Sequence, residues 1–103
     1  MVRIIKPATV REFTRLHADA ASGLEHWLDV TEAAEWTKLH DVRTSFRSAD
    51  EVRVASGRTV VVFNIGGNKY RLITAIHYNL GKVFVLRFMT HAEYSKDRWK
   101  DEL

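Results

Sequence analysis

Cysteine is absent from this 103-residue chain, so neither a disulfide framework nor a thiolate-held metal enters its chemistry. No apolar run approaches the roughly 20 residues that a membrane-crossing helix needs. The opening stretch Met1-Val2-Arg3-Ile4-Ile5-Lys6-Pro7 has too short an apolar part for a signal peptide and reads as a first strand. These absences make the cytoplasm the expected compartment, with no membrane partner. Repeats, low-complexity tracts and Pro/Gly linkers are missing too, which leaves one domain over 1–103. A chain of that length buries roughly 60–70% of its unfolded surface, enough for one modest core.

Acid is missing from one long window. Between Val52 and Ala92 there is no Asp or Glu, while Arg53, Arg58, Lys69, Arg71, Lys82 and Arg87 are all present. The overall charge of +3 is mild, but it is unevenly spread. Residues 1–50 hold seven basic and eight acidic side chains, whereas 51–103 hold nine and five. A field of one sign on a compact surface is what a polyanion meets, so the window points to a nucleic-acid partner. DNA is disfavoured, because no helix carries a basic recognition face.

Within that window, three β-rich runs are separated by Gly66-Gly67-Asn68 and Asn79-Leu80-Gly81, the pattern of an antiparallel meander. Before it, Val2–Ile5 is a strand expected to pair with the meander. Pro7 suits the first turn of a helix. Val10, Phe13, Leu16, His17 and Ala20 then predict a helix from Pro7 to Ala20. Ser22 and Glu25 have capping-box spacing, and Leu24, Trp27, Leu28, Thr31 and Ala34 form the apolar stripe of a second helix. Trp27 and Trp36 read as core rather than as base-stacking platforms. Val42 and Phe46 suggest a helical turn before a strand at Glu51–Val54, and a last helix is expected from Glu93 to about Lys100. The fold class is α+β: an N-terminal strand and two helices packed on one face of a mainly antiparallel sheet, then a short C-terminal helix.

Strand alternation assigns the functional face. A three-residue loop at Asn79–Gly81 sets Tyr78 opposite Lys82, Ile73 opposite Arg87, Arg71 opposite Met89 and Lys69 opposite His91. The odd-numbered face then gathers Lys69, Arg71, Arg87 and His91. Leu72, Ile76, Phe84, Leu86 and Phe88 turn to the helices, joined by Val61, Phe63 and Ile65. A two-residue Gly66-Gly67 turn sets Lys69 opposite Asn64. A slip of one residue would bury Lys69 and Arg71, so the apolar pattern itself favours this register. His77 lies roughly 26 Å along the strand from Lys69, too far to join the same site. His17, His26 and His40 read as surface or packing residues. No His, Asp or Glu cluster has metal-ligand spacing, Gly66-Gly67-Asn68-Lys69 lacks P-loop spacing, and no Ser or Cys is set up as a nucleophile. No metal or cofactor is therefore called for.

The block Val62-Phe63-Asn64-Ile65-Gly66-Gly67-Asn68-Lys69-Tyr70-Arg71-Leu72-Ile73, with Thr90-His91-Ala92-Glu93-Tyr94, resembles the HigB family of RelE-like toxins of bacterial type II toxin–antitoxin systems. Trp27, Trp36, Phe46 and Ser48-Ala49-Asp50 follow that family's weaker pattern. The resemblance implies an mRNA interferase, that is, an endoribonuclease that cuts mRNA on the ribosome. It also implies inhibition by a cognate HigA-type helix-turn-helix antitoxin and contact with operator DNA only through that antitoxin. By the same resemblance Arg71, Arg87, His91 and Tyr94 are the catalytic group. Lys69, Asn64, Lys96 and Arg53 are the remaining RNA-binding candidates.

The chemistry expected of these groups is attack by a ribose 2′-OH on the adjacent phosphorus. The arginines would neutralise the phosphorane, and the imidazole would move the proton. A non-catalytic RNA- or ribosome-binding module on the same basic sheet is the alternative. A toxin-like fold kept only for partner binding is the third reading.

Overall fold

The computed structural model describes residues 2–103. Among them, five strands form one sheet in the order β1-β5-β4-β3-β2. The strands are β1 (Arg3–Ile5), β2 (Asp50–Arg53), β3 (Thr59–Ile65), β4 (Tyr70–His77) and β5 (Lys82–Thr90). β1 runs parallel to β5, and the other neighbours are antiparallel. The fold is the α+β arrangement read from the sequence. No helix among the described residues is long and apolar enough to cross a membrane.

Pro7 opens α1 (Pro7–Leu16), as its fixed φ favours. The residue before it, Lys6, sits in the left-handed region at φ 58°, ψ 59°. That conformation is costly for a side chain with a Cβ and costs glycine little. Lys6→Gly is therefore expected to raise stability by roughly 1 kcal/mol, measured as a higher urea midpoint at unchanged slope.

α1 ends earlier than its periodicity predicts. His17 leaves the helix, and Ala18–Ala20 form a 3₁₀ turn that runs directly into α2 (Ala21–Ala33). Tertiary contacts account for the break. The His17 ring packs against Tyr70 and Phe88, at 5.2 and 5.4 Å between centroids, and the Tyr70 hydroxyl donates to Asp19 at 2.8 Å. The capping box expected at Ser22 and Glu25 does not form, because the 3₁₀ turn puts the N-cap at Ala20, two residues earlier, and leaves Ser22 inside the first turn of α2. The stripe itself is as read: Leu24, Trp27, Leu28 and Thr31 are buried. Gly23 lets α2 approach the first hairpin, since a Cβ there would lie 3.0 Å from the Gly66 nitrogen.

The sheet is covered on both faces. Against α2 and α3 (Leu39–Ser45) it presents Val61, Phe63, Ile65, Leu72 and Val83. On the other side Val60, Val62 and Ile73 form a smaller core with Val54 and Trp99, flanked by Leu86, Met89, Tyr94 and Leu103. The C-terminal helix is two pieces, α4 (His91–Ser95) and α5 (Arg98–Glu102), because Asp97 takes a left-handed conformation at φ 60°. A capping box does form here, between Thr90 and Glu93.

The hairpin registers correct three expectations. The second hairpin joins His77 to Lys82 through four residues, not three, and an extra residue, Leu86, bulges from β5 between the Ile73–Arg87 and Thr74–Val85 pairs. The longer loop and the bulge cancel, so Arg71 still faces Met89 as read. Beyond the bulge the alternation of β5 reverses. Val83 and Val85 point to the helices, while Leu86 joins the smaller core and Phe84, paired with Ala75, shares its face. In the first hairpin Asn64 pairs with Arg71, not Lys69. A shift of two residues keeps the face unchanged.

Candidate active site

The face away from α1 and α2 carries most of the residues singled out above. Arg71 lies between Asn64 on β3 and Met89 on β5, and Arg87 sits opposite Ile73 one step along. That makes Arg71 and Arg87 diagonal neighbours on one face, with Cβ atoms about 7–8 Å apart for such a pair. Neither guanidinium has a carboxylate partner among the described residues.

The two arginines differ in environment. Arg87 is exposed, and its Nη1 donates only to the neighbouring Leu86 carbonyl at 2.8 Å. Arg71 is 8% exposed. Its Nη1 donates to the carbonyls of Tyr70 (3.1 Å) and Asn68 (3.3 Å), and its Nη2 donates to Asn68 Oδ1 at 2.6 Å. Of five guanidinium hydrogens, Nε–H and the second Nη2–H have no acceptor among the described residues. Together they form the side-on edge with which arginine grips two oxygens.

Tyr94 closes the site from α4. Its ring lies 5.4 Å from Arg71 Cζ and stacks on Trp99 at 5.2 Å between centroids, with 19° between the ring planes. Trp99 Nε1 donates back to the Tyr94 carbonyl at 3.0 Å, so the ring is held from both sides. Burial pushes the Tyr94 phenol above its ordinary value, and the Asp50 carboxylate adds to this, with Lys100 and Arg71 pulling back. The phenol is thus neutral, a hydrogen-bond donor, throughout the physiological range.

His91 is exposed at the start of α4, and its backbone N–H donates to the Lys69 carbonyl at 2.8 Å. Ser95 Oγ donates to the His91 carbonyl at 3.0 Å and lies 3.3 Å from His91 Nδ1. With the serine hydrogen on the carbonyl, the ring contact is a hydrogen bond only when Nδ1 carries the proton. Nε2 is then left with a free lone pair.

The remaining candidates divide. Asn64 is exposed on the same face as Arg71. Lys96 is exposed at the end of α4, beside a cavity of about 230 Å³ lined also by Met89, Glu93 and Arg98. Lys69 lies in the turn before β4, and its ammonium reaches Asp19, 4.0 Å away beside the helices, rather than the group it was placed with. Arg53 is on the wrong face. It pairs with Thr59, one residue from Val60, whose side chain belongs to the Trp99 core, so strand alternation turns Arg53 to the helical side.

Three residues near the site were not picked out from the sequence. Asn68 read as a turn residue, although it stands three positions before Arg71. Asp50 read as part of a turn and instead pairs with Val62, which brings its carboxylate within influence of Tyr94. Trp99 was assigned to the last helix without its stacking role. Among the described residues no group of three or more His, Asp or Glu side chains is placed to share a metal ion.

Comparison with known proteins agrees with this arrangement. The family profile for the HigB toxin, a RelE-like toxic component of a toxin–antitoxin system, matches residues 20–97. An Escherichia coli O6:H1 protein named mRNA interferase HigB is 27% identical over 95 residues, which covers 92% of this chain and 90% of that relative.

Proposed function

Because this chain belongs to the HigB family of RelE-like toxins of toxin–antitoxin systems, we propose that it is an mRNA interferase cutting messages held on the ribosome, without a metal ion. The relative named mRNA interferase supports the reaction class. The observation that carries the reading is the pair of guanidiniums on one sheet face, free of carboxylates, with an exposed imidazole at the end of the same strand.

The scissile phosphate sits between Arg87 and the open edge of Arg71, whose paired N–H groups neutralise the two non-bridging oxygens as the phosphorane forms. His91 Nε2 takes the proton from the 2′-OH, and the 2′ oxygen attacks phosphorus. The bond from phosphorus to the 5′ oxygen breaks, and that oxygen is protonated from solvent. The products are a 2′,3′-cyclic phosphate and a 5′-OH. Tyr94 orients the phosphate through its hydroxyl, and Asn64 and Lys96 hold the backbone.

One histidine and a few cations make a poor free-standing ribonuclease, because nothing in them forces in-line geometry on a flexible strand. The ribosome supplies that geometry in this reading. A toxin of this family has a cognate antitoxin, here one of HigA type with a helix-turn-helix domain that would bring the pair to operator DNA. Both partners act in the cytoplasm. The exposed cations Arg87 and Lys96, which could hold RNA without cutting it, are what favours the second reading, a non-catalytic RNA-binding platform.

Mapping 5′ ends after adding purified protein to mRNA-programmed ribosomes separates the two. Discrete cuts bearing 5′-OH ends, absent on naked RNA, are expected. Efficient cutting of naked RNA would remove the ribosome requirement, and intact message in both settings would leave the binding platform.

A further inference from the structure

Asparagine in a tight turn is ordinarily there for its backbone, because it tolerates the left-handed conformation. Asn68 is not. The positive φ values of the first hairpin turn are taken by Gly66 (64°) and Gly67 (69°), while Asn68 itself has an ordinary negative φ. Its side chain makes no hydrogen bond to the turn backbone among the described residues. Its amide oxygen instead meets Arg71 Nη2 at 2.6 Å, and its carbonyl meets Nη1 at 3.3 Å. Asn68 is itself exposed, so neither its packing nor its burial explains the contact.

We infer that Asn68 is the positioning residue of the site. It occupies the end-on fork of the Arg71 guanidinium and thereby fixes the plane in which the side-on edge is offered to a phosphate. The Tyr70 carbonyl takes the other Nη1 hydrogen, and the Tyr94 ring covers one face of the plane. With the end-on fork, one nitrogen and one face engaged, the guanidinium has a single free edge. Rotation about the Cδ–Nε bond, which would turn that edge away, breaks the Asn68 contact first. Arginine on an unsupported strand keeps such rotation, and a transition-state donor that must be oriented afresh in every turnover loses its advantage. The turn that α2 approaches through Gly23 is thus tied to the phosphate-binding edge by one amide.

The inference rests on the endonuclease reading above, and the test keeps the two apart. Single-turnover cleavage on programmed ribosomes is compared for the native protein, Asn68→Ala, Asn68→Gln and, as a control in the other hairpin, Asn79→Ala. Asn68→Ala is expected to lower the maximal rate about 10- to 100-fold, the usual scale for a lost hydrogen bond to a charged group, with ribosome affinity changed less than about twofold. Asn68→Gln keeps an amide acceptor without adding a carboxylate beside Arg71 and should recover part of the rate. Asn79→Ala should match the native protein. In an Arg71→Ala background, Asn68→Ala should cost nothing further, since its effect passes through that guanidinium.

Native-like turnover by Asn68→Ala, or an undiminished loss in the Arg71→Ala background, overturns the inference while leaving the nuclease reading intact. Should Asn68→Ala not fold, a folded Asn68→Gln with turnover as low as that of Arg71→Ala overturns it as well. A native protein that cuts no message refutes the nuclease reading itself, and the inference falls with it.

Discussion

Replacing Arg71 by alanine should abolish growth arrest on induction and slow cleavage on the ribosome by about 10²- to 10³-fold, the scale of losing one preorganised donor to a developing oxyanion. Binding of the cognate antitoxin should remain measurable. Three effects combine at this residue. The phosphate loses the side-on edge, and the Asn68 and Tyr70 carbonyls lose their shared donor. The Tyr94 ring also loses the cation that covers it at 5.4 Å. Arg71→Lys should not rescue activity, because one ammonium cannot serve three fixed acceptors and still present two parallel donors. Arg87→Ala is the useful comparison. That side chain is exposed and bonded only to its own strand, so its loss should reduce cleavage with little change in melting temperature. Full toxicity in Arg71→Ala would overturn the placement of the phosphate.

Much of this architecture could be read from local pattern alone. Val61, Phe63 and Ile65 turn to the helices as expected, and all three are buried, whereas the burial of Val60 and Val62 under Trp99 on the other face is not part of that one-sided reading. The stripe through Leu24, Trp27, Leu28 and Thr31 fixed which side of α2 turns inward. The pairing of Arg71 with Met89 and of Ile73 with Arg87 followed from asking which register turns the cations away from the helices.

The failures share a physical origin. Nothing in Val83-Phe84-Val85-Leu86-Arg87 distinguishes a straight strand from a bulged one, because either face offers apolar surroundings once Trp99 covers the second side. The partner of Lys69 lies fifty residues earlier, at Asp19, in a turn whose shape depends on Tyr70 and Phe88. An acid-free window in the chain is therefore not an acid-free surface, since Asp19, Asp50 and Glu93 reach its rim from outside. What survives is narrower and more useful: the two arginines that face one another diagonally have no carboxylate partner among the described residues.

The largest effect on stability is expected at Phe63. Its ring is 1% exposed and stands between Trp27 (5.5 Å between centroids), Phe46 (5.2 Å) and Trp36 (6.2 Å), so one side chain joins β3 to α2 and to both ends of the α3 segment. Phe63→Ala should cost about 3–5 kcal/mol, combining lost apolar burial with a cavity that three large rings cannot collapse to fill. A domain of this size holds roughly 5–15 kcal/mol in total, so the variant should melt roughly 15–30 °C lower and expose much of its chain at 37 °C. Toxicity should fall for want of folded protein, although no candidate site residue has been touched. Val62→Ala offers the contrast from the adjacent position. It opens a smaller gap in the Trp99 core, directly beneath the face that carries Arg71, and should cost about 1–2 kcal/mol. If urea unfolding places the two variants within 1 kcal/mol of each other, the aromatic cluster is not the main core of this fold, and the sheet is held as strongly from the side of the site as from the side of the helices.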